Sequence, residues 1–348
     1  MKKKQPRPLR VLFVGFGHVA KKMAAMLTVE RERFPGLKDL DLETIGIFTK
    51  QRGALVDRSG IDLAWALSEL GDKGAFPNPS PISVQQAVDE LDYDVLVELS
   101  TLNIAAKGEP ALSYVRSALK RKRHVVTANK GPAAFAFREL DLLARQNGVR
   151  FLFESAVMDG APVFSLQRHS LRGCRVTGLS GILNTTTNFV ISRLEQGETM
   201  GSAVETAQRL GFAEAAPALD LEGWDAAAKI AILANVFMEA DMNPLQVERQ
   251  GISDLTASEA GRALKNGRCL KLICRAWEEK NAVRARVGVE EISMPHAFAA
   301  VSGKGAILRI ETDLLGPILV SQEKPTLTDT AAGVLFDLLT VQETAKEL

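Results

Sequence analysis

The chain has 348 residues, enough for two domains at roughly 150 residues each. Its 46% hydrophobic and 24% charged content is that of an ordinary globular protein. Forty-three basic against 42 acidic side chains leave a net charge of +1, which argues against a nucleic acid or an anionic membrane as partner.

The start, Met1-Lys2-Lys3-Lys4-Gln5-Pro6-Arg7-Pro8, is basic, but the apolar run that follows, 11–14, ends at Gly15. That is too short for a signal-peptide core or a membrane span. The first half then alternates short β-rich runs with helical stretches. Strands are predicted at 10–14, 44–48, 94–99, 124–127 and 149–153, and helices at 19–27, 111–121 and 138–146, with a Gly- and Pro-rich loop over 71–81. Strand and helix in repetition predict a parallel, doubly wound α/β sheet. Beyond Phe153 the order loses its regularity. Strands at 176–183 and 283–289, with helices at 200–210 and 221–239, suit a mixed α/β second domain, and 328–348 opens with Thr/Asp and predicts a last helix. Cys174, Cys269 and Cys274, with four scattered histidines (His18, His124, His169, His296), offer neither a disulfide framework nor a metal-ligand spacing, so a reducing cytoplasm fits.

Val14-Gly15-Phe16-Gly17-His18-Val19-Ala20 carries a buried strand into Gly-x-Gly-x-x-Ala and then a helix. Gly15 permits the tight turn, Gly17 brings no Cβ against a pyrophosphate, and Ala20 lets the helix lie close to the strand. Backbone N–H groups at the helix start would face the phosphates, with the positive end of the helix dipole behind them. His18 reads as a solvent-facing residue at the helix entry. At the end of the second strand an acid would bind an adenosine 2′-hydroxyl and repel a 2′-phosphate. Here Thr49-Lys50-Gln51-Arg52 has no acid and two cations. Arg52 or Lys50 could meet a phosphate, which favours NADP(H) over NAD(H); the alternative is a pair of ordinary surface cations.

Asp225 and Lys229 are four apart in an alanine-rich stretch, so a helix puts both on one face. An exposed pair of this kind contributes a few tenths of a kcal/mol at about the median. The neighbours Ala226, Ala227, Ala228, Ile230, Ala231, Ile232 and Leu233 are all apolar, so the helix reads as mostly buried, and its charges then need partners or a cleft. Glu214 and Asp220 add two carboxylates just upstream. Lys130 follows the run 124–127 directly, where ligands bind in open parallel sheets; a surface lysine in a turn is the plainer alternative.

Taken together, Gly15-Phe16-Gly17-His18-Val19-Ala20, Glu98-Leu99-Ser100-Thr101-Leu102-Asn103, Thr127-Ala128-Asn129-Lys130-Gly131-Pro132, the segment 154–162, Gly181-Ile182-Leu183-Asn184-Thr185-Thr186-Thr187-Asn188-Phe189, the block 214–229 and Ala331-Ala332-Gly333-Val334-Leu335 resemble the homoserine dehydrogenase family, in its short form without an appended regulatory domain. The resemblance implies a Rossmann-type dinucleotide-binding domain over 1–155, completed by a C-terminal helix 326–348, and a mixed α/β catalytic and dimerisation domain over 156–325. It implies interconversion of aspartate semialdehyde and homoserine with NADP(H), NAD(H) being the alternative, within threonine and methionine biosynthesis. Lys229 is then the proton donor to the nascent alkoxide, with Lys130 on the cofactor side. Glu214, Asp220 and Asp225 hold the substrate's ammonium and hydroxyl groups. Gly15, Phe16, Gly17, His18, Val19, Lys50, Arg52, Ser100, Thr101, Lys130 and Gly333 line the dinucleotide. A monovalent cation, sodium, is implied at the Glu154 carboxylate and the carbonyls of Val157, Asp159 and Ala161, and the partner implied is a second copy of the chain. Thr185 stands where the family usually has glycine, Asp159 where it has a small residue, and Ala215-Ala216 where it has an acid and a proline; 320–325 replaces a Gly-rich turn. Two other readings remain: a relative acting on another small amino-acid aldehyde or alcohol, and a dinucleotide sensor without catalysis.

Overall fold

The computed structural model describes residues 7–77, 79–210 and 217–347. Contacts divide the chain into two units, Met1–Pro162 with Thr326–Leu348, and Val163–Pro325.

The first unit is a six-stranded sheet in the order β3-β2-β1-β4-β5-β6, built from β1 (Leu9–Val14), β2 (Leu42–Phe48), β3 (Ala54–Val56), β4 (Val95–Glu98), β5 (His124–Thr127) and β6 (Phe151–Leu152). All pairs are parallel except β2 with β3, a three-residue strand folded straight back. Val11, Leu12 and Phe13 are at most 1% exposed, as strands covered by helices on both faces must be. Strand order reverses beside β1, between β2 and β4. Phe48 pairs beside Val14, Val14 beside Glu98, and Glu98 beside Thr127, so four carboxyl ends finish level. That is the doubly wound arrangement the sequence predicts.

The helix Leu327–Glu347 completes this unit. Its Ala331, Val334, Leu335, Leu338 and Val341 join Val11, Phe13 and Met23 in one core cluster. The unit runs seven residues past the boundary read from the sequence at 155, for a local reason. Segment 154–162 folds onto this helix: the Glu154 N–H donates to the Asp337 carboxylate at 2.8 Å, and Ser155 Oγ donates to the Thr330 carbonyl at 2.7 Å. Gly160 and Gly333 meet so closely that a Cβ on either would strike the other's backbone.

The second unit is a six-stranded sheet in the order β12-β11-β7-β9-β10-β8, with β7 (Val176–Ile182), β8 (Glu248–Arg249), β9 (Arg268–Glu279), β10 (Ala282–Ser293), β11 (Ala306–Thr312) and β12 (Ile318–Gln322). It is antiparallel apart from the short β10–β8 pair. Helices lie on both faces of β9. Cys274 Sγ sits 3.9 Å from the Ala226 carbonyl of helix Trp224–Met238, while Lys271, of opposite parity along the strand, meets Asn188 of helix Thr185–Glu195. Among the described residues no helix is long and apolar enough to cross a membrane.

Candidate active site

In the first unit the glycine turn sits at the strand-order reversal. The Gly15 N–H donates to the Phe48 carbonyl at 2.9 Å and the Leu99 N–H to the Val14 carbonyl at 2.7 Å, tying three strand ends together. Gly15 has φ +88°, and a Cβ there would lie 2.6 Å from the Leu99 carbonyl group and 2.7 Å from the Ser100 nitrogen, so only glycine fits. Gly17 differs: it precedes helix His18–Leu27, and a Cβ built on it meets nothing within 4 Å. No side chain caps this helix, and no acid occupies its first turn. Open space in front of a helix start is the cradle a pyrophosphate needs, so the residues fit a dinucleotide. Phe16 is buried, with its ring 5.6 Å from that of Phe13, so it can offer a ligand only backbone; Val19 is partly buried against the same core, and His18 is exposed.

At the end of β2 the Thr49 hydroxyl accepts from the Arg52 N–H at 2.7 Å and donates to the Gly53 carbonyl at 2.8 Å, which makes a tight turn into β3. Lys50 and Arg52 are exposed on that turn. Lys21, on the glycine-turn helix, has its pKa lowered by burial first and by the nearby Arg52 guanidinium second. A third cation thus belongs to this corner, one that sequence spacing did not single out.

Lys130 begins helix Lys130–Asn147 at the carboxyl end of β5, with Asn129 as N-cap accepting from the Gly131 N–H at 2.9 Å. Ser100 accepts from the Asn129 side-chain amide at 3.2 Å, and Thr101 is exposed beside it. Gly333 is buried against Ser155 and Gly160, a position that close helix packing accounts for. In the 154–161 loop Glu154 is 2% exposed. Met158, Asp159 and Gly160 take successive left-handed conformations (φ 57°, 47° and 85°), and Asp159 accepts from the Thr330 hydroxyl at 3.4 Å. Among the described residues no group of three or more His, Cys, Asp or Glu could hold a metal ion.

The second unit gathers the other charges. Asn184 follows β7 and caps helix Thr185–Glu195 through its Oδ1, which accepts from the Thr187 N–H at 2.7 Å. Its amide nitrogen is thereby turned outward and donates to both Asp220 (2.7 Å) and Asp225 (2.8 Å). Asp225 pairs with Lys229 at 2.9 Å, the two side chains being 14% and 13% exposed, and Lys229 also donates to the Leu183 carbonyl at 2.7 Å. The carboxyl of Asp220 is pushed above its usual range by burial first and by the charge of Asp225 second; the Asn184 amide, Lys229 and the Thr186 hydroxyl oppose that rise. Behind them, burial pushes the Cys274 thiol up to about 12 and keeps it neutral. Gly223, with φ +81°, lets the chain turn sharply into the helix that carries Asp225 and Lys229. Sequence spacing singles out neither Asn184 nor Thr186, although an Asn between a strand and a Thr run is an N-cap signal that points to this position. Thr185 stands in the first turn of that helix and is not among the positive-φ residues, so the backbone there does not demand glycine. Glu214 lies outside the described residues.

A dinucleotide cradle on a Rossmann-type sheet, with a separate cluster of two carboxylates and a lysine, defines a nicotinamide-dependent oxidoreductase acting on CH–OH groups. Residues 15–154 match the model of the homoserine dehydrogenase NAD-binding domain, and 162–339 match the homoserine dehydrogenase model. An NAD(+)-dependent homoserine dehydrogenase of Pseudomonas canavaninivorans is 34% identical over 341 residues, 97% of each chain. Among solved structures, a putative homoserine dehydrogenase of Archaeoglobus fulgidus superposes with a TM-score of 0.84 at 30% identity, covering 96% of this chain and 99% of that one. A hyperthermophilic archaeal homoserine dehydrogenase in complex with NADPH gives 0.81 at 26% identity, with 97% and 98% covered. The chain belongs to the homoserine dehydrogenase family.

Proposed function

We propose that this enzyme interconverts aspartate semialdehyde and homoserine with NADP(H), in the cytoplasm, as a step toward threonine and methionine. The observation that carries this reading is the Asn184-centred cluster: two carboxylates bridged by a single amide, one of them paired with a lysine on a buried helix. Homoserine offers an ammonium, a carboxylate and a hydroxyl, and only its oxygen-bearing carbon changes oxidation state. Asp220 and Asp225, with Glu214, suit the ammonium and hydroxyl. Lys229 suits the oxygen that gains negative charge as the aldehyde is reduced, since an ammonium beside it can give up a proton. Lys130, at the end of β5, is the cofactor-side cation. Bound NADPH supplies the hydride to the aldehyde carbon.

The preference for NADP(H) rests on the cations Lys50 and Arg52, now joined by Lys21, and on the absence of an acid after β2. The Pseudomonas relative is named for NAD(+), so the choice is a real one. Oxidation of NADPH and NADH should be followed with aspartate semialdehyde and a panel of other small aldehydes. The reading requires a higher kcat/KM with NADPH, reversed by Arg52→Asp, and the largest rate with aspartate semialdehyde. Lys229→Ala should lower kcat by about a hundred-fold or more while KM changes little; near-normal kcat would remove Lys229 from proton transfer.

A monovalent cation, sodium, is proposed at Glu154 with the carbonyls of Val157, Asp159 and Ala161. Its support is the buried carboxylate beside a loop of left-handed residues. Sodium should raise the melting temperature of the wild type but not of Glu154→Gln. A homodimer formed through the second unit is proposed with it, to be checked by sedimentation.

A further inference from the structure

Glu98 ends β4 in the middle of the first unit's sheet and is wholly buried. A carboxylate there is costly unless every oxygen has a donor. The donors come from two neighbouring segments. Oε1 accepts from the Ser100 N–H at 2.9 Å, and Oε2 accepts from the Thr127 hydroxyl at 3.0 Å, across from it on β5. The side chain of Asn129 also hydrogen-bonds to it, and burial raises its pKa against these donors. The Thr127 hydroxyl in turn accepts from the Asn129 N–H at 3.0 Å. Asn129 is the cap of the helix whose first residue is Lys130, and its amide reaches back to Ser100. Thus one buried carboxylate joins the segment after β4, the wall against which Gly15 is packed, to the turn that launches Lys130.

We propose that Glu98 is a positioning residue for this enzyme's reaction, acting through Asn129 to hold Lys130 at the carboxyl end of β5. A side chain with no exposure cannot touch substrate or dinucleotide, so it acts only through its neighbours. A hydrophobic residue would fill the space but leave the Ser100 N–H without its acceptor and the Thr127 hydroxyl with only the more distant Asn129 carbonyl, at 3.4 Å. The hydrogen bonds also explain how a carboxyl group can occupy a strand whose other residues, Val95, Leu96 and Val97, are apolar and wholly buried.

The proposal rests on the role given to Lys130 above, and the test separates the two. Glu98→Gln keeps the shape and one acceptor, and the Thr127 hydroxyl can turn toward the Asn129 carbonyl 3.4 Å away, so the fold survives. Glu98→Gln, Lys130→Ala and the double variant are compared by kcat, by KM for homoserine, and by NADPH affinity from fluorescence titration. Expected are a fall in kcat of about ten-fold for Glu98→Gln, a loss of NADPH affinity no larger than that of Lys130→Ala, and almost no further loss of kcat when Lys130 is already alanine. Thr127→Val, isosteric and lacking the hydroxyl, should lower kcat in the same way. Losses that multiply in the double variant, or unchanged kcat in both Glu98→Gln and Thr127→Val, overturn the role of Glu98 alone. A Lys130→Ala enzyme of normal kcat overturns the assignment of Lys130 itself, and with it this one.

Discussion

Adding one methyl group at Gly15 and at Gly17 should have opposite consequences, although the residues are two apart. Gly15 has φ +88°, and a non-glycine residue in that region costs about 1–2 kcal/mol. The new carbon would also lie 2.6 Å from the Leu99 backbone, forcing β1 and β4 apart at about 1–3 kcal/mol. Together these are about 2–5 kcal/mol, or roughly 4–20 °C in melting temperature for a domain of this size. At Gly17 the backbone (φ −86°, ψ −153°) suits any residue, and the methyl meets no protein atom within 4 Å. Reduced freedom of the unfolded chain offsets the weaker cap, each worth about 0.5–1 kcal/mol, so the melt should barely move. The methyl would instead stand where the pyrophosphate approaches, and NADPH affinity should drop at least about ten-fold. Ligand-free melts and a fluorescence titration of both variants decide this. Wild-type NADPH affinity in Gly17→Ala, or an unshifted melt in Gly15→Ala, would refute the account of the turn.

Asn184→Ala should cost about 1 kcal/mol through the lost cap and leave Asp220 and Asp225 without the amide between them; steady-state kinetics should show KM for homoserine rising about ten-fold or more, and an unchanged KM would count against the cluster. Because its pKa is raised, Asp220 keeps its proton in the fold over a pH interval in which the unfolded chain has lost it. The ionised group therefore weakens the fold above the raised value, and that penalty fades as pH falls toward the ordinary aspartate value of about 3.9. Asp220→Asn should accordingly melt higher than wild type at about pH 7, with the gap closing toward about pH 4; a gap that widens on acidification would contradict the cause assigned.

The alternating pattern of the first unit was legible because its parallel strands are short, apolar and separated by turn residues. What escaped was structure whose local signal conflicts with its surroundings. β3 has only three residues, too few to register as a strand. Helix Lys130–Asn147 begins eight residues before the stretch read as helical, because Gly131-Pro132 reads as a turn although proline is tolerated in a first helical turn. The same helix contains Ala136 with φ −147°, a break that further blurs its period. β9 is buried on both faces and carries Lys271 inside, so it lacks the alternation by which a half-buried strand is recognised. At the site, Asp225 and Lys229 were legible from their spacing. The amide that organises them comes from a segment about forty residues earlier, a distance no local pattern spans. Glu98 was hidden for a different reason: a carboxylate at the end of an apolar strand reads as the point where the chain meets solvent.

The helix that closes the first unit has a bearing on how the protein is made. Leu335, Leu338 and Val341 share a core with Val11 and Phe13, and Gln342 accepts from the Asp41 N–H and donates to the Asp39 carbonyl. A ribosome therefore delivers the last strand of the nucleotide-binding sheet at Leu152 and the sheet's last core wall only from Leu327 onward. Until then an apolar face on that sheet stays open. The inserted unit, continuous in sequence, has all its strands available before that wall is translated, so the nascent chain is most exposed to aggregation and proteolysis in the dinucleotide half.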